Sequence, residues 1–218
     1  LISSMKHQIN GLKIELKEHK QALYSKKKVI SIPDEITEIS SHSFSDLIHI
    51  QDVQFPKTLK SIGSYSFSGC TSLKQIIIPS SVEIIESYSF SNCTSLTQIN
   101  IQSSSIKRIS SHLFEGCTSL KTIKIPSSIT IIDDYAFCKC NHLNYITIPL
   151  SVKSIGSYSF SGCTSLKQIT IPSAVKEIGS YSFSDCTSLT EASIQSLVIK
   201  QISSHLFEGC TSLKTLTI

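Results

Sequence analysis

The stretch Leu73–Cys93, LKQIIIPSSVEIIESYSFSNC, decides the fold. It reads as L-x-x-I-x-I-P-x-x-V-x-x-I-x-x-Y-x-F-x-x-C. Ile76 and Ile78 alternate with period two, which predicts a short strand that turns both inward and turns Ile77 outward. Pro79 has no N–H to offer a ladder, so the strand ends there. The matching stretch Gly63–Cys70 of the preceding unit is rich in Ser and Gly and too short for a long helix. It predicts a turn, with at most one helical or 3₁₀ turn, that inserts Phe67.

The same wording recurs along the chain. Cys70, Cys93, Cys117, Cys140, Cys163, Cys186 and Cys210 are spaced by 23, 24, 23, 23, 23 and 24 residues. Eight of the nine Phe lie three residues before this position: Phe44, Phe67, Phe90, Phe114, Phe137, Phe160, Phe183 and Phe207. All six Pro share one phase, and the two 24-residue units carry Gln102 and Gln195 there instead. A larger period is superimposed. SIGSYSFSGCTSLKQI at 61–76 recurs identically at 154–169, and Ile109–Thr122 recurs at 202–215, both offset by 93 residues, or four units. Duplication of a four-unit block accounts for this.

A fixed period of this length predicts a solenoid within the leucine-rich-repeat range. One unit cannot bury its own Leu, Ile, Val and Phe, but its neighbours above and below can. Nine strands are expected, centred on Ser31, Gln54, Ile77, Asn100, Lys124, Thr147, Thr170, Ser193 and Thr217. Spaced about 4.8 Å apart, they would form a parallel sheet roughly 40 Å long. Identical positions would then stack as Phe, Ile and Cys ladders.

The pattern I-x-I-P-x-x-V-x-x-I followed by F-x-x-C-x-x-L, from about Val29 to Ile218, resembles the BspA-type leucine-rich repeat, known from bacterial surface proteins and abundant in protozoan parasites. Members usually carry Ala before the Phe; here only Ala136 does, and the other units have Ser or Leu. The resemblance implies a right-handed, β-rich, horseshoe-like coil. It would have one parallel sheet on the concave face and short turns or 3₁₀ segments on the convex face. It also implies a non-enzymatic protein-binding or adhesion role.

The chain has 218 residues, 40 % of them hydrophobic and 17 % charged, and its net charge of +4 is unevenly placed. Residues 1–28 carry seven Lys and two Glu; the remaining 190 carry 13 basic and 14 acidic side chains, a net of −1. A near-neutral body argues against a broad nucleic-acid face. No run approaches the roughly 18 apolar residues a spanning helix needs. Residues 1–28 fall outside the repeat, and Ile9, Leu12, Leu16 and Leu23 follow helical spacing. They are read as a helical cap on the solenoid 29–218 of about eight repeats, with a hairpin at Asn10-Gly11 as the alternative and membrane-surface contact as a lesser one. The sequence stops at Ile218, in mid-unit and just after a strand. Two readings follow: a longer native chain, or an edge that pairs with a second copy, hence end-to-end self-association.

The chemistry-bearing residues obey the repeat. Seven of eight Cys occupy one phase and are expected to be buried free thiols, which favours a reducing compartment over a disulfide framework. Cys138, Cys140 and His142 spell C-x-C-x-H, but lack a second ligand pair. His42, His112 and His205 align with Tyr65 and Tyr88 as repeat positions rather than members of a catalytic triad. Asn92-Cys93-Thr94 matches a glycosylation sequon whose Cys falls in the expected core. Val53-Gln54-Phe55 resembles a V-x-F motif that docks regulatory subunits on a Ser/Thr protein phosphatase, yet Val53 and Phe55 fall on inward positions. No catalytic residue, metal or cofactor is assigned.

The outward strand positions are free of core duty and form the expected site for a protein partner. One row is Gln54, Ile77, Asn100, Lys124, Thr147, Thr170 and Ser193, continuing to Thr217. Its neighbour is Asp52, Gln75, Gln98, Thr122, Tyr145, Gln168 and Glu191, continuing to Thr215. Ile77, Lys124 and Tyr145 are the expected anchors. The alternative function is an intracellular scaffold or regulatory subunit, for example of a Ser/Thr phosphatase.

Overall fold

A computed structural model describes residues 27–199 and 202–218, so the expected N-terminal cap lies outside the described residues. The described chain is a parallel-strand solenoid of about eight turns. In chain order its first strands are β1 (Val29–Ser31), β2 (Glu38–Ile39), β3 (Asp52–Gln54), β4 (Ser61–Ile62), β5 (Gln75–Ile78), β6 (Ile84–Ile85), β7 (Gln98–Ile101) and β8 (Arg108–Ile109). The others are β9 (Thr122–Lys124), β10 (Ile131–Ile132), β11 (Tyr145–Thr147), β12 (Ser154–Ile155), β13 (Gln168–Ile171), β14 (Glu177–Ile178), β15 (Glu191–Ile194) and β16 (Thr215–Thr217).

The longer strands occupy all nine expected positions, and equivalent residues pair in register, as in Ile76 with Ile99 and Ile77 with Asn100. They are not one unbroken sheet. Hydrogen bonding groups them as β1–β3, β5–β7, β9–β11 and β13–β15–β16. The two-residue strands add a second parallel row, β2–β4–β6 and β8–β10–β12–β14. This second row goes beyond the single sheet inferred from the repeat. Its interruption between β6 and β8 coincides with the Gln102 unit, where one extra residue lengthens the path.

No helix of any type occurs among the described residues; the arc after each short strand is built from β-turns. Within one coil, Ser66 N–H donates to Gly63 O, Ser68 to Tyr65 O and Cys70 to Phe67 O. The intervening N–H groups of Tyr65, Phe67 and Gly69 donate instead to Ser87, Ser89 and Ser91 of the next coil. Every second amide thus closes a turn while its neighbour ties two coils together. This requires left-handed backbone at Tyr65 (φ 56°) and Gly69 (φ 72°), a conformation bulky residues rarely adopt. Its cost at the aromatic position is offset by stacking. His42, Tyr65, Tyr88, His112, Tyr135, Tyr158, Tyr181 and His205 form one continuous pile, with ring centroids 4.1–4.9 Å apart.

The interior is a second pile, from Phe44 to Phe207, with six of its rings fully buried. Beside it runs the Cys row, all free thiols. Each Sγ–H of this row donates to the Phe carbonyl of the previous coil; Cys93 reaches Phe67 O at 3.2 Å and Cys140 reaches Phe114 O at 3.2 Å. The row is therefore a set of small buried groups with a donor to give, which explains its regularity better than bridging or metal chemistry. Burial pushes the Cys70 and Cys117 thiols up to about 12, leaving them un-ionised at neutral pH.

At one turn position the residues alternate every two coils. The second left-handed column reads Asp46, Gly69, Asn92, Gly116, Lys139, Gly162, Asp185, Gly209. A Cβ on Gly69, Gly116 or Gly209 would lie 2.3 Å from the Oδ1 of Asp46, Asn92 or Asp185 in the preceding coil. Where the preceding side chain is Asp or Asn, its oxygen folds over the next coil at the place a Cβ would take, and glycine follows; after Lys139 the space is open and Gly162 serves the left-handed backbone alone.

The Ser row before the Phe shows a related split. Ser89 Oγ donates to Gly63 O (3.0 Å), and Ser182 Oγ to Gly156 O (2.9 Å). Ser66 and Ser159, stacked on coils where Ser40 and Asp133 replace that glycine, bury hydroxyls with no partner. We expect Ser66→Ala and Ser159→Ala each to raise stability by about 1 kcal/mol, and Ser89→Ala to lower it by a similar amount. Urea unfolding of the three variants checks this; a loss at all three would refute it.

Candidate functional site

The outward rows stand where strand alternation puts them. Gln54, Gln75, Ile77, Gln98, Asn100, Thr122, Lys124, Tyr145, Thr147, Gln168, Thr170 and Glu191 are exposed, while Asp52 and Ser193 are half-buried. Their inward partners, such as Ile76, Ile99, Ile123, Ile146 and Ile169, are buried. In-register pairing places Thr122 beside Tyr145 and Lys124 beside Thr147. It likewise places Gln168 beside Glu191 and Thr170 beside Ser193. The face is rich in amides and hydroxyls. In these two rows Lys124 is the only charged residue between Asp52 and Glu191.

Tyr145 is the centre of this face. Its phenolic oxygen accepts a hydrogen bond from Thr147 Oγ1 at 2.9 Å. Thr147 lies two residues on, on the same face, so the bond lays the side chain along β11 instead of letting it stand off the sheet. The residue is 63 % exposed. Two open grooves of about 690 and 680 Å³ flank it, and both share Ser127, Tyr145, Thr147 and Pro149 as walls. The first reaches over Asn100 and Lys124; the second reaches over Thr170 and Gln195. The sequence reading missed Ser127, Pro149 and Leu150 as walls. Leu150, 73 % exposed, had a visible signal: the residue after the repeat Pro is Ser at positions 80, 127 and 173.

Other candidates resolve into structural roles. Val53 is buried and Phe55 packs edge-on against Phe67 at 5.6 Å, so the V-x-F segment has no free docking edge. Cys140 is turned to Phe114 O, while His142 Nδ1 lies 2.6 Å from Thr118 O, so C-x-C-x-H is not gathered around a point. Asn92 is exposed, but its Oδ1 covers Gly116. Between its end rings His42 and His205, the His–Tyr pile offers only ring edges, because each face is covered by the next ring. Two of its histidines hold carboxylates, His112 with Glu115 (2.6 Å) and His205 with Glu208 (2.5 Å). Burial between neighbours raises the pKa of Tyr88 and Tyr135, keeping both phenols neutral.

The family model described as the BspA type leucine-rich repeat region matches residues 19–144 and 130–218, in six copies. The chain belongs to the BspA-type leucine-rich-repeat family. A leucine-rich repeat protein from Bacteroides ovatus is similar in structure over 87 % of this chain and 54 % of its own, at 31 % identity and a TM-score of 0.72. The present chain thus spans about half the length of that relative. A Treponema pallidum leucine-rich repeat protein aligns over 87 % of this chain and 69 % of its own (26 % identity, TM-score 0.46). A leucine-rich cell surface protein of Faecalibacterium prausnitzii aligns over 88 % and 87 % (19 % identity, TM-score 0.48). No curated protein matches the sequence significantly. Membership of this BspA-type family suggests a protein-interaction or surface module, and nothing in the fold or the comparisons points to catalysis.

Proposed function

We propose that this BspA-type repeat protein binds a protein partner through the outward rows of its long-strand face, in a surface-interaction role. The observation that carries this reading is the Tyr145 ring, exposed between two grooves yet restrained by Thr147. An aromatic side chain already ordered before contact loses less conformational freedom on binding than a free one. Aromatic residues near the centre of an interface also contribute disproportionately to affinity. Lys124 supplies a charged anchor on the coil next to Tyr145 and Ile77 an apolar one two coils further along, surrounded by amides and hydroxyls that suit a polar rim.

Tyr145→Ala combined with Lys124→Ala is expected to weaken a partner captured from the native cell by about 2 kcal/mol or more, roughly thirtyfold in Kd. Both side chains are exposed, so thermal unfolding should change little. Unchanged partner affinity would move the site off this face.

A further inference from the structure

The near-neutral net charge of the body conceals a segregation. Across five successive coils, the segments 71–77, 94–100, 118–124, 141–147 and 164–170 contain no Asp or Glu. Along the lip of this face, immediately before each long strand, the residues run Lys28, Gln51, Lys74, Thr97, Lys121, Asn144, Lys167, Thr190, Lys214. A lysine thus stands on every second coil, and all five are exposed. The four-coil duplication relates Lys74 to Lys167, and Lys28 to Lys121 and Lys214; it does not produce the alternation inside the block.

The backbone holds the row in register. Gln51 N–H donates to Lys28 O (2.7 Å), Lys74 to Gln51 O (3.0 Å), Thr97 to Lys74 O (2.9 Å), Asn144 to Lys121 O (3.1 Å) and Thr190 to Lys167 O (2.8 Å). With coils about 4.8 Å apart, successive lysines repeat at about 10 Å. Among the described residues no carboxylate is paired with any of the five; the close contacts of carboxylates with basic side chains there involve Lys60, Arg108, His112 and His205.

We propose that this lip binds a linear acidic polysaccharide carrying one anionic group on every second sugar. A pyranose in an extended chain advances by close to one coil step, so a disaccharide spans two coils. Its anionic rings meet Lys74, Lys121 and Lys167, and its neutral rings meet Thr97 and Asn144. Other polyanions fit worse. An extended acidic peptide repeats its same-side groups at about 6.6 Å, out of step with the lysines. Single-stranded nucleic acid is held by successive aromatic platforms, and these coils expose only Tyr145 and His142, both on one coil. The proposal goes beyond the protein-binding reading and does not rest on it.

The test is binding of a hyaluronan decasaccharide, with one carboxylate on every second ring, to the full chain in low salt. Lys74→Gln, Lys121→Gln and Lys167→Gln together are expected to raise Kd about tenfold or more and to flatten its dependence on salt. A charge-matched control, Lys107→Gln, Lys153→Gln and Lys176→Gln beside the short strands, should stay within about twofold. All six lysines are exposed, and circular dichroism will confirm that both triples fold. No binding of hyaluronan, or equal loss in both triples, would overturn the proposal. So would equal affinity for polygalacturonate of the same length or for oligothymidylate. A failure of the Tyr145 and Lys124 variant to affect a protein partner leaves this result untouched.

Discussion

Phe114→Ala is expected to lower the unfolding free energy by about 3–5 kcal/mol, the range for emptying a fully buried aromatic site. Phe114 is wholly buried between Phe90, at 6.1 Å between ring centroids, and Phe137, at 5.6 Å. It belongs to a pile that each coil extends by one ring, so the void faces both neighbours. In a solenoid, stability is close to a sum of coil terms and nearest-neighbour interfaces. One substitution here weakens two interfaces at once. Urea unfolding should therefore show a lower midpoint, together with a shallower or divided transition as the halves lose their coupling. Phe44 is only half-buried, so Phe44→Ala should cost distinctly less. Equal losses at the two positions would contradict the nearest-neighbour account.

Gly156→Ala should cost about 3 kcal/mol, at the upper end for forcing extra volume into a packed core. A Cβ at this position would lie 2.4 Å from Asp134 N and 2.5 Å from the Asp133 carbonyl carbon. Both are backbone atoms of the preceding coil, held by the inter-coil bond from Gly156 N–H to Ile132 O at 2.7 Å. The clash therefore has no flexible side chain to absorb it. Gly162→Ala is the informative contrast. That glycine sits at φ +72°, but its Cβ would meet Lys139 atoms at an ordinary 3.6 Å. Only the left-handed backbone is penalised, at about 1 kcal/mol. Thermal melts of the two variants should differ clearly in midpoint; a larger loss at Gly162 would show that backbone conformation, not coil spacing, sets the limit.

The legible part of this fold was what repeats once per coil. Cys, Phe and Pro keep one phase, and the alternation of Ile76 and Ile78 fixed both the strand and its outward residues. The short second row was not legible. A two-residue strand such as β4 is too brief to show an alternating pattern, and Ile62 reads equally well as part of a turn. Left-handed backbone at Tyr65 and Tyr88 ran against residue preference, because the compensation comes from rings a whole coil away. The alternation of Asp46, Gly69, Asn92 and Gly116 was visible in the sequence, but a register anchored on the Cys period averages it out. At the candidate site, exposure of Tyr145 followed from strand parity. Its restraint by Thr147 did not, since that depends on a rotamer.

The paired coils also govern how such a chain can change length. Excising one coil would bring two glycines, or two bulky left-handed residues, into contact, and would shift the lysines out of phase. Excising two would rejoin like to like. Unequal crossing-over in the gene should therefore be tolerated in even numbers of units, so that lineages gain or lose reach in steps of about 10 Å.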